Sequence, residues 1–410
     1  MDQEEYSGLL KHVQGIADFR KARGKRHRWA FLLGVILAAL VNGQKTPWAV
    51  GEWARLHAEE LCQWLKSARM ASKSTFYRVL RYLDIKALER QVAAYGRAQA
   101  QASERAGNGA QAGEVLTKGG EVLQGQAIDG KELRGVSAHG TRLHLLSVVR
   151  HGSGLILKQL RVADKRNEVS ALPQLWKGFD LRHTISTFDA LFTQRAVAEE
   201  IVRRGGHYLM VVKGNQATLR EALQTLFAAP PWPQGEEERE SFSSLSLGHG
   251  RIEQRTLVSS TLLNEYLAWP GLGQVLQRTC QRTLKKTGEQ SCTVSYAITS
   301  LTRAKVTTAQ LEGVWRNHWT IENPVHYVRD ETLGEDRGQA AKGNTAQALA
   351  ALRNGLLIAL RVQGWASIAQ ALRYHASSIQ RSLQVIGALP IPPSPQAQPN
   401  LQLSPTFPGL

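Results

Sequence analysis

Three carboxylate side chains, far apart in the sequence, stand where the chain can bring them to one place. Asp129 ends an apolar run in the motif IDGK, and Asp189 ends another in the motif TFDA. Glu322 lies in the stretch WRNHWTIENPVHYVRDETLGEDR, which combines aromatic, cationic and acidic side chains. Carboxylate oxygens are the ligands that Mg²⁺ prefers in proteins. Together the three residues predict a site for divalent metal ions.

The chemistry that suits such a site is phosphodiester cleavage or transfer. A phosphodiester is a poor electrophile with an anionic leaving oxygen. Two divalent ions about 3.5–4 Å apart activate the attacking hydroxyl or water and stabilise the departing oxygen. A single aspartate at a strand end is also a common turn or cap residue. The prediction therefore depends on the joint placement of all three acids.

The overall charge agrees with a polyanionic partner. Among 410 residues, Lys and Arg total 51 against 34 Asp and Glu, which gives a net charge of +17 and a pI near 10.0. Such a balance favours nucleic acid as the partner, although a basic cytosolic enzyme or a membrane-surface protein has the same composition. With 42% hydrophobic residues, the chain is long enough for two or three globular domains.

The cysteines and the first apolar run indicate the cellular compartment in which the protein folds. Cys62, Cys280 and Cys292 lie far apart without a CxxC motif, which indicates a reducing compartment and no structural metal. The run from Trp29 to Val41 is too short to span a bilayer and follows a charged segment, so it predicts a buried helix. We expect a soluble cytoplasmic protein and no membrane partner.

The hydrophobic periodicity divides the chain into an all-α N-terminal part and an α/β part. Residues 1–96 read as a helical domain associated with DNA binding, and the Gly- and Ala-rich segment 97–120 reads as a linker. Residues 121–388 read as the catalytic domain, with a β-rich insertion at about 217–305. Residues 389–410 are Pro-rich and predict a disordered tail.

Five strands and two helices are expected in the part of the catalytic domain that precedes the β-rich insertion. The first three strands follow one another and the later ones alternate with helices, which predicts a mixed sheet covered by helices. This order is the ribonuclease-H-like arrangement, with an antiparallel meander followed by parallel strands. In it the strands that carry Asp129 and Asp189 are neighbours. The predicted strands are 122–129, 144–149, 155–162, 184–188 and 207–212, and the helices are 168–179 and 195–204.

Two pairs of arginines are candidate DNA contacts. Arg78 and Arg81 lie on the polar side of a short amphipathic helix, as in a helix-turn-helix recognition element, although most helices of this pattern only pack against a core. Arg251 and Arg255 share one face of a predicted strand, which suits a DNA backbone and equally suits a solvated sheet face.

Two further candidates follow the fifth strand. Lys213 and Asn215 belong to the turn KGNQ, where a lysine is able to meet DNA phosphate and the glycine permits close approach. A surface turn that simply ends the strand explains the same residues.

If the segment around Glu322 is helical, the helical period determines which of its residues share a face. A step of about 100° per residue places Trp315, His318, Glu322 and Arg329 near one face. Pro324 removes one amide donor and predicts a kink just beyond Glu322. That kink leaves Glu331, Glu335 and Asp336 as alternatives for the third acid.

Several motifs, in order along most of the chain, resemble those of one family. IDGKELRG, TFDALFTQR, GHYLMVVKGNQ, HGRIEQR and RNHWTIENPVHYVRDETLGEDR are similar to the DDE transposases of insertion sequences, in the H-repeat-associated or ISAs-type group. The resemblance implies an integrase-like, ribonuclease-H-like fold with Asp129, Asp189 and Glu322 as the catalytic and metal-binding triad for two Mg²⁺ or Mn²⁺ ions. It also implies binding to terminal inverted repeats and target DNA as a synaptic oligomer, for which a homodimer is the natural expectation.

The resemblance also includes a YREK-like signature, Y-x2-R-x3-E-x6-K, whose basic residues hold DNA phosphates. Laid on Glu322, the other positions fall on Trp315, His318 and Arg329. Arg329 keeps the charge, whereas Trp315 and His318 depart from the pattern. His318 and Arg329 thus join the predicted DNA contacts.

The function expected from these observations is transposition. The enzyme would cleave donor DNA at the element ends and join the 3′-hydroxyls to target DNA. Two alternatives stay open: a catalytically silent, repeat-binding protein derived from a transposase, and a less specific metal-dependent nuclease.

Overall fold

The computed structural model describes most of the chain. The described residues are 6–105, 113–137, 143–163, 167–228, 239–248, 250–338 and 342–390. Among them, no helix is both long and apolar enough to cross a membrane.

The N-terminal part of the chain is helical. Its helices are α1 (Gly8–Val13), α2 (Trp29–Val41), α3 (Pro47–Leu56), α4 (Ala58–Trp64), α5 (Lys73–Tyr82) and α6 (Ile85–Arg105). In α2 every residue from Ala30 to Val41 is buried. A helix that is apolar on all sides must be covered on all sides, so α2 forms the centre of this helical layer.

The strands form one large mixed sheet. Its order is β4-β3-β2-β5-β6-β10-β9-β8-β7, with β1 paired to β2 outside this path. The strands are β1 (Glu114–Leu116), β2 (Val122–Glu132), β3 (His144–Arg150), β4 (Ile156–Val162), β5 (Thr184–Phe188), β6 (His207–Val212), β7 (Arg239–Gly248), β8 (Arg251–Ser260), β9 (Gln274–Leu284) and β10 (Gln290–Thr299).

The first half of the sheet has the strand directions expected from the sequence. β2, β3 and β4 form an antiparallel meander, and β5 and then β6 add in parallel on the other side of β2. Helices α8 (Glu168–Leu175) and α9 (Arg195–Arg203) connect these strands, and the short α7 (Arg134–Ser137) follows β2.

The segment predicted as a β-rich insertion extends this sheet. After α10 (Ala217–Ala228), the antiparallel strands β7 to β10 pair in sequence, and β10 pairs with β6. Among the described strands, β6 therefore connects the added strands to β5, which precedes Asp189, and through β5 to β2, which contains Asp129.

The remaining helices cover one face of the sheet and complete the helical layer. α11 (Thr308–Asn317) and α12 (Trp319–Ile321) lead into a π-helix, Glu322–Thr332. Helices α13 (Thr345–Val362), α14 (Ile368–Ala376) and α15 (Ile379–Val385) follow.

N-terminal and C-terminal helices share one hydrophobic cluster. Leu33 and Ile36 of α2, Leu88 of α6 and Leu356 of α13 belong to it, together with Ile156 of β4. A second cluster lies on the other face of the sheet, between β5, β6 and helices α8 and α9. The sheet is thus buried between helices on both faces.

Two predicted segments differ in the structure. Residues 97–105, assigned to a linker, continue α6, and 114–116 form β1. Arg97 explains part of this difference, because its guanidinium lies 5.7 Å from the Phe179 ring centroid and donates to the Leu157 carbonyl at 3.4 Å. Residues 106–112 and most of the predicted tail, 391–410, lie outside the described residues.

The contact between α6 and β4 gives a test of the shared core. A Cβ at Gly96 would overlap the backbone carbonyl oxygen of Ile156, whereas one at Gly313 in α11 would meet no atom within 4 Å. We expect Gly96→Ala to lower the free energy of unfolding by about 2–4 kcal/mol. Gly313→Ala, the matched helical control, should raise it by about 0.5–1 kcal/mol. Urea denaturation measures both, and equal effects would contradict the close packing.

Candidate active site

Parallel pairing of β2 with β5 brings two of the predicted acids together. Ile128 lies opposite Phe188, and an aspartate follows each of these buried residues. Asp129 is inside β2, which continues to Glu132, but it is the first residue beyond the part that pairs with β5. Asp129 and Asp189 therefore lie side by side where the two strands separate.

The third predicted acid comes from the segment after α11. A capping box of Thr307 and Gln310 starts α11, and the chain continues through α12 to Glu322. Ile321 and Val325 are buried in the helical core on either side of the exposed Glu322. Packing of these two apolar side chains holds the glutamate at the surface beside the sheet.

The π-helix changes the faces that the sequence predicted. Hydrogen bonds from residue i to i+5, as between the Leu333 amide and the Val328 carbonyl at 2.9 Å, widen each turn. Residues seven apart then no longer share a face. Glu322 is exposed, whereas the Arg329 side chain is fully buried. The helix thus changes its hydrogen-bonding pattern at Glu322 and spans Pro324 without ending there.

Arg329 was predicted to contact DNA, and its position does not fit that role. Its Nε donates to Glu335 at 2.8 Å, its Nη2 lies 2.7 Å from the same carboxylate in an ion pair, and its Nη1 donates to Gln159 at 3.1 Å. Arg353 approaches the same Glu335 carboxylate at 3.5 Å. Arg329 therefore holds the C-terminal end of the π-helix against the core, and no phosphate reaches it in this structure.

The same contacts bear on the alternative third acids. Glu335 is buried between Arg329 and Arg353, and Asp336 lies 3.5 Å from Lys131. Glu331 pairs with Arg337 at 3.3 Å on the surface. Each of the three alternatives is thus paired with a cation, whereas Glu322 is exposed and acts electrostatically on Asp129.

Two contacts fasten the π-helix directly to β2. The buried Lys131 forms ion pairs with Asp330 and Asp336. His326 Nδ1 lies 3.7 Å from an Asp129 carboxylate oxygen. Because Lys131 and Asp129 stand two residues apart on one strand, they face the same side of the sheet. The π-helix is therefore fixed at the strand that carries the first acid.

The three acids are close enough to change one another's charge. Burial and the nearby carboxylates of Glu168, Glu322 and Asp189 raise the pKa of Asp129 from 3.8 to about 7. Burial and Asp189 also raise the pKa of Glu322. Like charges held together in this way repel, and a cation would relieve the repulsion.

Asp189 behaves differently because it has donors nearby. Burial would raise its pKa, but the Ala190 amide and Lys213 outweigh it, so the pKa of Asp189 is lowered. Lys213 Nζ lies 3.0 Å from the carboxylate, and its side chain is exposed. Asn215 donates to the Ala190 carbonyl at 2.6 Å, which ties the turn after β6 to the Asp189 turn. Both residues thus lie at the site, with Asn215 in a structural contact.

Behind Asp189, a threonine links two buried histidines. Thr187 Oγ1 lies 2.9 Å from His151 Nε2 and 2.9 Å from His318 Nδ1. Burial lowers the pKa of His151 to about 3 and that of His318 to about 4, so both rings are neutral at pH 7. His318, predicted to contact DNA, instead fixes the helix before Glu322 to the strand before Asp189.

The donor set fits a hard divalent cation. All three predicted ligands are carboxylates, which Mg²⁺ and Mn²⁺ accept without His or Cys. Within the described residues, however, no group of three or more His, Cys, Asp or Glu side chains is arranged so that it could hold a metal ion. The chemistry of the three predicted ligands thus suits the metal.

The remaining predicted DNA contacts lie in two basic regions. Arg251 and Arg255 line a cavity of about 700 Å³ beside the π-helix. Arg78 is exposed on α5 and lines another, of about 720 Å³, with arginines of the basic cluster 20–28. Arg81 is half-buried, with its guanidinium 5.2 Å from the Tyr82 ring centroid.

Three residues of the site were missed by sequence reasoning. Glu168 approaches from α8, where a Cβ at Gly130 would overlap its carboxylate, and His326 and Lys131 connect β2 to the π-helix. Lys131 and His326 belong to the same motifs as Asp129 and Glu322, so proximity within a motif was the available signal. Glu168, at the start of a short helix, carried none.

Comparison with known proteins identifies the family. Residues 121–360 match the family described as the transposase DDE domain, and residues 10–95 match the family described as DDE_Tnp_1-associated. The class of protein is thus that of the DDE transposases, and the chain belongs to the DDE transposase family. This confirms the resemblance drawn from the sequence motifs.

Two relatives found by sequence have names that agree with this assignment. The putative transposase YncI of Escherichia coli O157:H7 is 26% identical over 370 residues, covering 86% of this chain and 87% of that protein. The H repeat-associated putative transposase YhhI of E. coli K12 is 31% identical over 237 residues, covering 56% and 61%. A piggyBac transposase synaptic complex with hairpin DNA, solved by cryo-EM, aligns with a TM-score of 0.46 at 11% identity, covering 96% of this chain and 84% of the other.

Repulsion among the acids predicts that neutralising one of them stabilises the metal-free protein. A carboxyl whose folded-state pKa is raised costs stability above that pKa, and the cost disappears as the pH falls towards the unfolded value. At pH 8 in EDTA we expect Asp129→Asn to raise the free energy of unfolding by about 1–3 kcal/mol. Thermal melts from pH 5 to 8 measure it, with the gain shrinking below pH about 7. Asp180→Asn, an exposed control paired with Arg182, should show no gain.

The histidine–threonine link predicts a loss of stability when its hydroxyl is removed. Thr187→Val keeps the side-chain shape but leaves two buried imidazole nitrogens without their partner, which should cost about 2–4 kcal/mol. Thr256→Val, whose hydroxyl contacts Ser243 on the surface, should change little. Chemical denaturation compares them, and equal losses would contradict a role for the link.

Proposed function

We propose that this transposase cleaves donor DNA at the ends of its insertion sequence and joins the 3′-hydroxyls to target DNA. The observation that carries the proposal is the electrostatic coupling of Asp129, Asp189 and Glu322 at one edge of the sheet. Their strand and helix positions agree with a ribonuclease-H-like catalytic core. Membership of the DDE family supplies the class of reaction.

In this proposal, the three carboxylates are the metal ligands. Bound Mg²⁺ would activate the attacking hydroxyl or water and stabilise the leaving oxygen. Asp129 and Asp189 are held by the β-sheet, and Glu322 is held by the packing of Ile321 and Val325. Lys213, whose exposed ammonium lies 3.0 Å from Asp189, is placed to contact a DNA phosphate at the same position.

The basic cavity of the N-terminal helices is the proposed contact for the terminal inverted repeats. It is lined by Arg78 of α5 and by Arg20, Arg23, Arg26 and Arg69. Arg20 is already paired with Asp18 at 2.9 Å, so the others carry most of the available charge. Clustered arginines on one surface are the usual electrostatic footprint of a DNA backbone contact. Pairing of two element ends then requires two copies of the chain, in agreement with a homodimeric synaptic complex.

Cleavage at the element ends tests the proposed function. The purified protein is incubated with Mg²⁺ and a duplex that carries the inverted repeats flanking its gene. We expect cleavage at the repeat ends, which Asp129→Ala abolishes because it removes a metal ligand while repeat binding in a mobility-shift assay persists. Asp180→Ala, an exposed aspartate paired with Arg182, is the matched control and should cleave normally.

Three other outcomes would decide against this proposal. Cleavage that survives Asp129→Ala would exclude the proposed ligand. Cleavage without preference for the repeat ends would favour a less specific nuclease. Repeat binding with no cleavage by the wild type would favour a silent repeat-binding protein. The burial of His318 and Arg329, two predicted DNA contacts, agrees with that alternative.

A further inference from the structure

One face of the added strands carries a group of arginines beside the proposed active site. Arg251 and Arg255 of β8, Arg278 and Arg282 of β9 and Arg316 of α11 line the cavity of about 700 Å³, which we name the arginine cleft. Five guanidinium groups around one cavity need a negatively charged partner, because like charges held together repel.

The strand register explains why these arginines share a face. Glu253 lies opposite Arg282, and Leu257 lies opposite Arg278, so alternate residues of β8 and β9 point to the same side. Towards the end of β8 this side is apolar, and Leu257 packs with Val314 of α11. The arginines occupy the remaining part of this side, next to the C-terminal end of α11.

The cleft lies next to the proposed third metal ligand. Asn323 and Pro324, the two residues after Glu322, line it together with Thr320. Arg278 is fixed there, with its guanidinium 4.3 Å from the centroid of the buried Trp315 ring. A strand of nucleic acid whose phosphates occupied the cleft would therefore continue directly to Glu322.

Glu253 already makes the contacts that a phosphate would make. Its carboxylate accepts hydrogen bonds from Arg282 Nε at 3.1 Å and from Arg255, and it forms a third ion pair with Arg251, whose Nε lies 2.8 Å away. The Glu253 side chain is only 6% exposed, whereas those of Arg251 and Arg282 are 43% and 40% exposed. The donors thus converge on an acid at the floor of the cleft and remain open to solvent above it.

We propose that the arginine cleft binds the phosphates of the DNA strand that leads to the carboxylate site, and that Glu253 is an internal phosphate substitute which this strand displaces. Without DNA, Glu253 neutralises part of the charge and keeps the arginines in place. With DNA, the guanidinium groups of Arg251 and Arg282 turn to phosphate, since charge-assisted hydrogen bonds to phosphate match those to carboxylate in geometry. This inference rests on the proposed function, because it assigns DNA as the partner.

Binding of DNA in EDTA tests the cleft without requiring cleavage. Fluorescence anisotropy is measured with a labelled duplex of arbitrary sequence that carries a single-stranded extension. We expect Arg251→Ala and Arg282→Ala each to weaken binding by about five- to tenfold and to reduce the slope of log affinity against log salt by about 0.7–0.9. Arg182→Ala removes an exposed arginine that is likewise paired with an acid, and it should change neither value.

Glu253→Gln tests the displacement step. Gln keeps the shape and one acceptor oxygen but removes the competing charge, so we expect affinity for the same DNA to rise by about three- to tenfold and the salt slope to become steeper. Circular dichroism and a thermal melt verify that the variant is folded. A folded Glu253→Gln protein that binds DNA no better than wild type would overturn the role of Glu253.

The results separate this inference from the proposed function. If Arg251→Ala and Arg282→Ala bind DNA as well as Arg182→Ala does, the cleft is not a DNA site, even when the wild type still cleaves repeat ends. If the wild type binds no DNA, the proposed function itself fails. Inorganic phosphate and unlabelled DNA are also compared as competitors of the labelled DNA at equal phosphate concentration. Equal competition would show an adventitious anion site and would overturn the inference.

Discussion

The parallel pairing of β2 with β5 is the constraint on which the site depends. It sets Ile128 opposite Phe188, and the next residue on each strand is an acid. The position of the two aspartates therefore follows from backbone hydrogen bonds and from the burial of their apolar neighbours. A shift of one residue in either strand would turn the acid of that strand to the other face of the sheet. Strand pairing, rather than any contact of the acids themselves, brings these two charges together.

The third acid depends on contacts of a different kind. The π-helix is held to β2 by Lys131 and His326 and to the core by Arg329, which is buried with Glu335. Removing one partner of a buried ion pair leaves an uncompensated charge and is strongly destabilising. These polar groups fix one orientation of the helix, and they leave Glu322 exposed while its neighbours are buried. The basic residues that resemblance assigned to DNA thus serve the position of the acid instead.

Local patterns were sufficient for the strands and insufficient for the helix after α11. Thr184–Phe188 and His207–Val212 were predicted with the bounds that the structure has, because short apolar runs between turn residues define strands clearly. The triad itself remains a prediction supported by its placement. The π-helix was not predictable, because its hydrogen bonds depend on partners such as Glu335 and Lys131 rather than on periodicity. Residues 97–105 lack large apolar side chains, but they are rich in strong helix formers and continue α6.

The shared helical core has a consequence for how the chain is made. The Ser7 amide donates to the Gly387 carbonyl at 2.9 Å, and α2 packs with helices near the other end of the sequence. During synthesis, α2 emerges from the ribosome long before its partners in α13 and α15 exist. Its apolar surface must stay exposed or be covered by other means until α13 and α15 have been synthesised. The helical layer and the sheet that carries Asp129 would then complete their folding together, because they share this core.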